Sequence, residues 1–230
     1  MTSTQPQSAG QAPFRAVIFD LDGTLVDSES RSHAVWTSVF TSLGLAVDEA
    51  LIRSFIGRRA EDVCALLAAA LPGHDPAALM ARAHGEFHAP GRPALGAMPG
   101  ALDCVQAIAS HGTPLGIVTS AGRSYAEATL RTLGIRAAFS VVISADDVSV
   151  GKPDPEGFRA AAERLGVAAA ACVVFEDAPA GVAAAKAAGM YCVAVATTHV
   201  PDDLAGADRI VPDLTAVTWP FHAEQSALRG

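Results

Sequence analysis

The segment FRAVIFDLDGT, Phe14 to Thr24, opens with a short apolar run rich in β-formers that stops abruptly at Asp20. A run with no polar alternation is the mark of a strand buried on both faces, as in a parallel sheet. Comparable runs follow at Leu115 to Thr119, Val141 to Ser144, Cys172 to Phe175 and Tyr191 to Val195. Helical stretches lie between them and stop at glycines suited to helix C-caps, namely Gly112, Gly134, Gly166 and Gly189. Strand and helix in alternation imply an α/β, Rossmann-like fold with a doubly wound parallel sheet.

Between residues 30 and 92 the alternation breaks. Four consecutive helices are expected there, over 29–43, 48–55, 60–71 and 75–88, forming an inserted α-helical cap domain. The core domain would then comprise residues 14–29 and 93–230. Natural hinges are Asp27 to Ser30 and Pro90-Gly91-Arg92-Pro93. Residues 1–13 are polar and lack both an apolar segment and an early positive charge, which predicts a flexible tail and no signal peptide.

Half of the 230 residues are hydrophobic, enough for a full core plus a smaller satellite unit. A net charge of -8 without any basic run gives no long-range attraction to nucleic acid or to an anionic membrane surface, so an anionic substrate has to be held locally. No apolar run reaches the roughly 18 residues that a membrane span needs. Cys64, Cys104, Cys172 and Cys192 form no C-x-x-C pair, consistent with reduced thiols in the cytoplasm. A monomer or weak dimer is expected.

Ligands of doubly wound sheets bind at the carboxyl ends of the strands. The residues delivered there are Asp20, Asp22 and Thr24 after the first strand, Thr119 and Ser120 after the second, and Glu176 and Asp177 after the fourth. Lys152 is expected to open the helix after the third. Each group alone has an ordinary structural explanation, since acidic pairs cap turns and helices and a Thr-Ser pair ends a strand by local hydrogen bonding. Together, however, four converging carboxylates repel one another unless a cation is present, and magnesium is the usual choice beside phosphate. Lys152 is one of only two lysines against fourteen arginines, which suggests a position wanting a compact point charge.

The segments DLDGTLVDSE (20–29), VTS (118–120), GKPDP (151–155) and VFEDAPAG (174–181) resemble, in order and spacing, the four motifs of haloacid dehalogenase-like hydrolases. The resemblance spans nearly the whole chain outside the cap. It implies that Asp20 is a nucleophile forming an aspartyl phosphate and that Asp22 is the general acid and base. It further implies a magnesium ion held by Asp20, the Asp22 carbonyl, Asp177 and, directly or through water, Glu176. Thr119, Ser120 and Lys152 would neutralise the phosphoryl oxygens.

Within that superfamily the second aspartate and the acidic pair argue against dehalogenases, and the absence of a cap lysine argues against phosphonatases and β-phosphoglucomutase. The mutase also resembles this chain but carries a histidine where Ser32 stands here, with His33 one step late. Gly57-Arg58-Arg59 and Thr197-Thr198-His199 are similar to phosphatases of sugar and polyol phosphates. The expected activity is therefore a magnesium-dependent phosphatase acting on a small phosphorylated metabolite, with β-phosphoglucomutase activity as the alternative and a non-enzymatic regulator as a third reading. Arg58, Arg59 and Arg123 are candidates to hold the substrate, and each could equally be a solvated surface arginine.

Overall fold

The computed structural model describes residues 14–220, so the tail expected over 1–13 lies outside the described residues. Its frame is a six-stranded, all-parallel sheet of β1 (Ala16–Phe19), β2 (Leu115–Val118), β3 (Val141–Ile143), β4 (Cys172–Glu176), β5 (Tyr191–Val195) and β6 (Arg209–Val211), in the order β3-β2-β1-β4-β5-β6. The chain builds outward from β1 to β3 and then returns to the other side of β1 with β4. Strand order thus reverses at β1, and the Asp20 end of that strand opens onto the crevice.

Both sheet faces are covered, which is why β1 reads as a continuous apolar run. Val17 and Phe19 pack toward α5 (Ala101–Ser110) and α6 (Arg123–Thr132), with the Phe19 and Phe175 rings stacked at 4.9 Å. Ala16 and Ile18 pack toward α7 (Glu156–Leu165) and α8 (Pro179–Ala187) on the opposite face. The sixth strand, β6, was not among the expected runs: it has three residues, of which Val211 alone is buried, so it carries no long apolar signal.

Four helices separate β1 from β2: α1 (Glu29–Ser42), α2 (Glu49–Arg53), α3 (Ala60–Ala70) and α4 (Pro76–Phe87). Asp48 and Asp75 cap α2 and α4 by accepting the N–H groups of Leu51 and Ala77 at 3.0 and 2.9 Å. The helices close on a core of their own, centred on Trp36, Phe40, Phe55 and Leu67, with the Trp36 and Phe55 rings 5.0 Å apart. The segments that lead in and out are tied side by side. Asp27 N–H donates to the Gly96 carbonyl at 2.9 Å, and Val26 bridges Ala97 in antiparallel fashion. All four cysteines are free thiols, and no helix among the described residues is long and apolar enough to cross a membrane.

Candidate active site

Lys152 forms the centre of the site. Its side chain is 5% exposed, and its ammonium donates to Asp20 Oδ1, to Glu176 Oε1 at 2.6 Å and to the Val118 carbonyl at 3.1 Å. These three acceptors use all three of its protons. Lys152 does not open a helix as expected; it projects from the loop before α7, which starts at Glu156. That loop is held because the Glu156 carboxylate accepts the N–H groups of Ser149 and Val150 at 3.0 and 2.8 Å.

Glu176 is expected to be a further metal ligand, directly or through water. One carboxylate oxygen is taken by Lys152, and the other accepts the N–H groups of Asp177 and Ala178, both at 2.9 Å. Gly181 makes room for this arrangement, since a Cβ there would lie 1.6 Å from Glu176 Oε1. Glu176 therefore positions Lys152 and the start of α8. Asp177 accepts hydroxyl protons from Thr24 at 3.1 Å and Thr198 at 2.5 Å. Gly23, at φ +81, passes so close that a side chain would strike the Asp177 carboxylate.

Asp22 Oδ1 accepts hydrogen bonds from Ser28 at 2.6 Å and Tyr125 at 2.7 Å. Burial raises its pKa, an effect that the donors Ser28 and Tyr125 oppose. Burial also pushes Asp20 well above the usual carboxylate range, with Lys152 pulling it down and Glu176 and Asp177 raising it further. Asp177 is raised by burial and by Glu176. For Lys152, burial works against the charged form, but Asp20 and Glu176 outweigh it and raise the pKa.

Three buried carboxylates thus face one ammonium, and the remaining negative charge calls for a cation. Among the described residues no three His, Cys, Asp or Glu side chains form a metal-holding group. The expected donors are the Asp20 and Asp177 carboxylates and the Asp22 carbonyl, with Glu176, whose oxygens are hydrogen-bonded as those of Asp177 are, as a further one directly or through water. A set of one or two carboxylates with a carbonyl, completed by water and phosphate, fits magnesium, which keeps several waters and prefers oxygen.

Above these groups a cavity of about 490 Å³ opens between the cap helices and the core. Trp36, Phe55, Met80 and Phe87 form its apolar wall, and Asp20, Asp22 and Thr119 lie at its floor. Of the expected substrate contacts, Arg58 lines this cavity, with its Nε bonded to the Ser54 carbonyl at 2.9 Å. Arg123 lines it too, but is tethered to Asp147 and to the Val142 carbonyl. Arg59 turns the other way: Nη1 donates to the Ser149 carbonyl at 3.2 Å, and its stem lies against Gly151. It joins cap to core and does not line the large cavity. Thr119 accepts the Ala121 N–H at 3.0 Å, and Ser120 reaches across to donate to the Gly57 carbonyl of the cap at 2.9 Å. His33 is outside the cavity, paired with Glu49 at 2.6 Å.

Sequence reading passed over Tyr125, Ser28 and Glu29. Tyr125 meets Asp22 across 103 residues of chain and has no local signal, whereas Ser28 and Glu29 sit within the first motif. Glu29 lines the cavity, and burial together with Asp22, Asp20 and Asp27 pushes its carboxyl up to about 8 from an ordinary 4.5. Because the folded pKa is the higher one, its contribution to stability is full below 4.5 and lost as pH rises through about 8. Glu29→Gln should accordingly melt close to wild type at low pH and above it at high pH. Thermal melts in chelator across that range check this; an advantage that does not grow with pH would remove Glu29 from this environment.

The architecture agrees with the comparisons. The chain matches the haloacid dehalogenase-like hydrolase family over residues 14–189, and it belongs to that family. Within it the protein is a phosphoric monoester hydrolase. Validoxylamine A 7'-phosphate phosphatase of Streptomyces hygroscopicus subsp. limoneus is 43% identical over 207 residues, covering 90% of this chain and 97% of that protein. Hexitol phosphatase A of Escherichia coli (strain K12) is 34% identical and covers 89% and 93%. Among solved structures, CbbY from Rhodobacter sphaeroides in complex with xylulose-(1,5)bisphosphate aligns with a TM-score of 0.76 over 88% of this chain and 96% of that one. At 24% identity this is a likeness of fold alone.

Proposed function

We propose that the protein is a magnesium-dependent phosphatase of a sugar, polyol or related small phosphate, working through an aspartyl phosphate on Asp20. The observation that carries this reading is the pairing of Asp20 with Lys152, next to the separately hydrogen-bonded Asp22, at the floor of the cap–core cavity. The names of the two relatives, which act on validoxylamine A 7'-phosphate and on hexitol phosphates, support the substrate class.

In the first step an Asp20 oxygen attacks phosphorus, the bond to the leaving oxygen breaks, and Asp22 gives that oxygen its proton. Asp22 suits the task because burial keeps its carboxyl protonated more readily than a solvated one, while Ser28 and Tyr125 fix its direction. In the second step Asp22 takes a proton from water, whose oxygen attacks phosphorus and frees the Asp20 carboxylate. The Thr119 hydroxyl would hold a phosphoryl oxygen, and Lys152, its protons committed to Asp20, Glu176 and the Val118 carbonyl, would act as a fixed positive charge beside the phosphoryl group. Asp20, Asp177 and the Asp22 carbonyl would hold the magnesium ion, which supplies charge neutralisation at the phosphoryl group. The cap of residues 30–92, moving on its hinges, would exclude bulk water and retain the one that reacts.

The test is phosphate release from p-nitrophenyl phosphate and a panel of sugar and polyol phosphates, with magnesium and with excess chelator. Release is expected with the metal and should vanish with chelator; full activity in chelator would reject the metal requirement. Accumulation of glucose 6-phosphate from β-glucose 1-phosphate would favour the mutase instead.

The two cap arginines should separate by substrate. Arg58→Ala is expected to lower kcat/KM for the preferred sugar or polyol phosphate by about tenfold or more while barely changing turnover of p-nitrophenyl phosphate, because binding energy from the remote group is what it removes. Arg59→Ala, which breaks a cap–core contact, should affect both substrates alike. Equal losses for Arg58→Ala would move that residue out of substrate recognition.

A further inference from the structure

The bend Gly57-Arg58-Arg59 between α2 and α3 touches three core loops at once. The Gly57 carbonyl accepts from Ser120, in the loop after β2, and a Cβ at Gly57 would lie 2.8 Å from that of Ala178, in the loop after β4. Arg59 reaches the loop before α7, where Nη1 donates to the Ser149 carbonyl at 3.2 Å. These are the loops that carry Thr119, Asp177 and Lys152.

Arg59 holds its place against local preference. It is the N-cap of α3, with an extended backbone at φ -75 and ψ 159, and its side chain caps nothing. Ser, Thr, Asp and Asn are favoured at such a position, and Asp48 and Asp75 supply these caps to α2 and α4 on either side. A residue that breaks a local rule marks a place where another demand wins. The Arg59 side chain is only 17% exposed, and it does not line the substrate cavity. Its charged partner Glu61, at 3.3 Å, is exposed, and a pair of that kind contributes little.

The demand comes from the loop. A Cβ at Gly151 would fall on the Arg59 stem, 2.7 Å from Cγ and closer still to Cδ. The Gly151 backbone lies outside the left-handed region, so it is the arginine stem that requires glycine there. Lys152 follows directly, and its ammonium serves acceptors on Asp20, Val118 and Glu176, so its root has little freedom to shift. On the core side the loop is held by Glu156, through the Ser149 and Val150 N–H groups. On the cap side it is held by Arg59.

Resting on the phosphatase reading above, we infer that Arg59 is a positioning residue that fixes the root of Lys152, so that the charge beside the phosphoryl group is in register only while the cap is docked. It acts through Ser149 and Gly151 and not through the substrate. Docking of the cap is thereby transmitted to the phosphoryl end of the site whatever the leaving group.

The experiment compares wild type, Arg59→Ser, Gly151→Ala and the double variant by thermal melts and by turnover of p-nitrophenyl phosphate in magnesium. Serine supplies the missing cap to α3, so the Tm of Arg59→Ser should not fall. Its kcat should nevertheless drop about 10- to 100-fold with KM little changed, the scale on which a misplacement of about 1 Å acts. Hydrogen exchange at the Ser149 and Val150 amides should quicken in the same variant. Gly151→Ala drives the stem off the loop and should lose activity to a similar extent. In the double variant the stem is gone and the alanine has room, so the loss should not exceed that of Arg59→Ser alone. Wild-type kcat in Arg59→Ser, a Tm that falls together with activity, or losses that multiply in the double variant would overturn the role of Arg59 and leave the phosphatase reading standing. No release by the wild-type enzyme would overturn both.

Discussion

Asp20→Asn is expected to reduce kcat on the order of 10⁶-fold, the scale on which removal of a covalent nucleophile acts. The amide matches the carboxylate in shape but cannot attack phosphorus. The fold should survive, because the variant removes a carboxylate that burial, Glu176 and Asp177 all disfavour, even though Lys152 loses an anionic partner. Phosphate release by the variant, together with mass spectrometry of wild-type enzyme quenched during turnover, provides the check. A trapped phosphoryl group on any residue other than Asp20 would overturn the assignment.

Lys152→Met should be the most damaging single change to the structure. It leaves Asp20, Glu176 and Asp177 buried with no ammonium among them. Removing one partner of a buried charge pair costs about 3–5 kcal/mol. For a chain of this size that corresponds to a fall in Tm of about 6–20 °C. The loss should be smaller at low pH, where the abandoned carboxylates take up protons, and should grow as pH rises. Lys152→Arg is not expected to restore activity, because a planar fork cannot donate in the three directions that the ammonium serves. A Tm for Lys152→Met that stays at the wild-type value across pH would mean that the acids are not held as described.

How far the molecule was legible in its sequence depends on whether a feature is local. The strand before Asp20 was readable because burial on both faces writes an uninterrupted apolar run, and α2 and α4 were marked by Asp48 and Asp75 at their N-caps. Strand β6 was not, since three half-covered residues at a sheet edge leave no pattern. Glu176 stands out in the sequence at the end of a strand, yet the direction of its oxygens depends on the space over Gly181 and on the ammonium of Lys152, 24 residues away. Arg58 and Arg59 are neighbours in one bend, and the backbone rotation between them sends one to the cavity and the other to the core loop. Tyr125 shows the limit most plainly, because its partner Asp22 becomes adjacent only when α6 packs beside β1.

The hydrogen bond from Asp27 to Gly96 and the bridge between Val26 and Ala97 have a consequence for how such a protein can diversify. Both ends of the intervening segment leave the core at one point, so it can lengthen or shorten without breaking the sheet, while its contacts through Arg59 and Gly57 tie it to the Lys152 loop and to Ser120. The cavity is walled from both sides, by Trp36, Phe55 and Arg58 of the segment and by Arg123 and Tyr125 of α6, so a change in what fits there calls for matched changes in the segment and in α6.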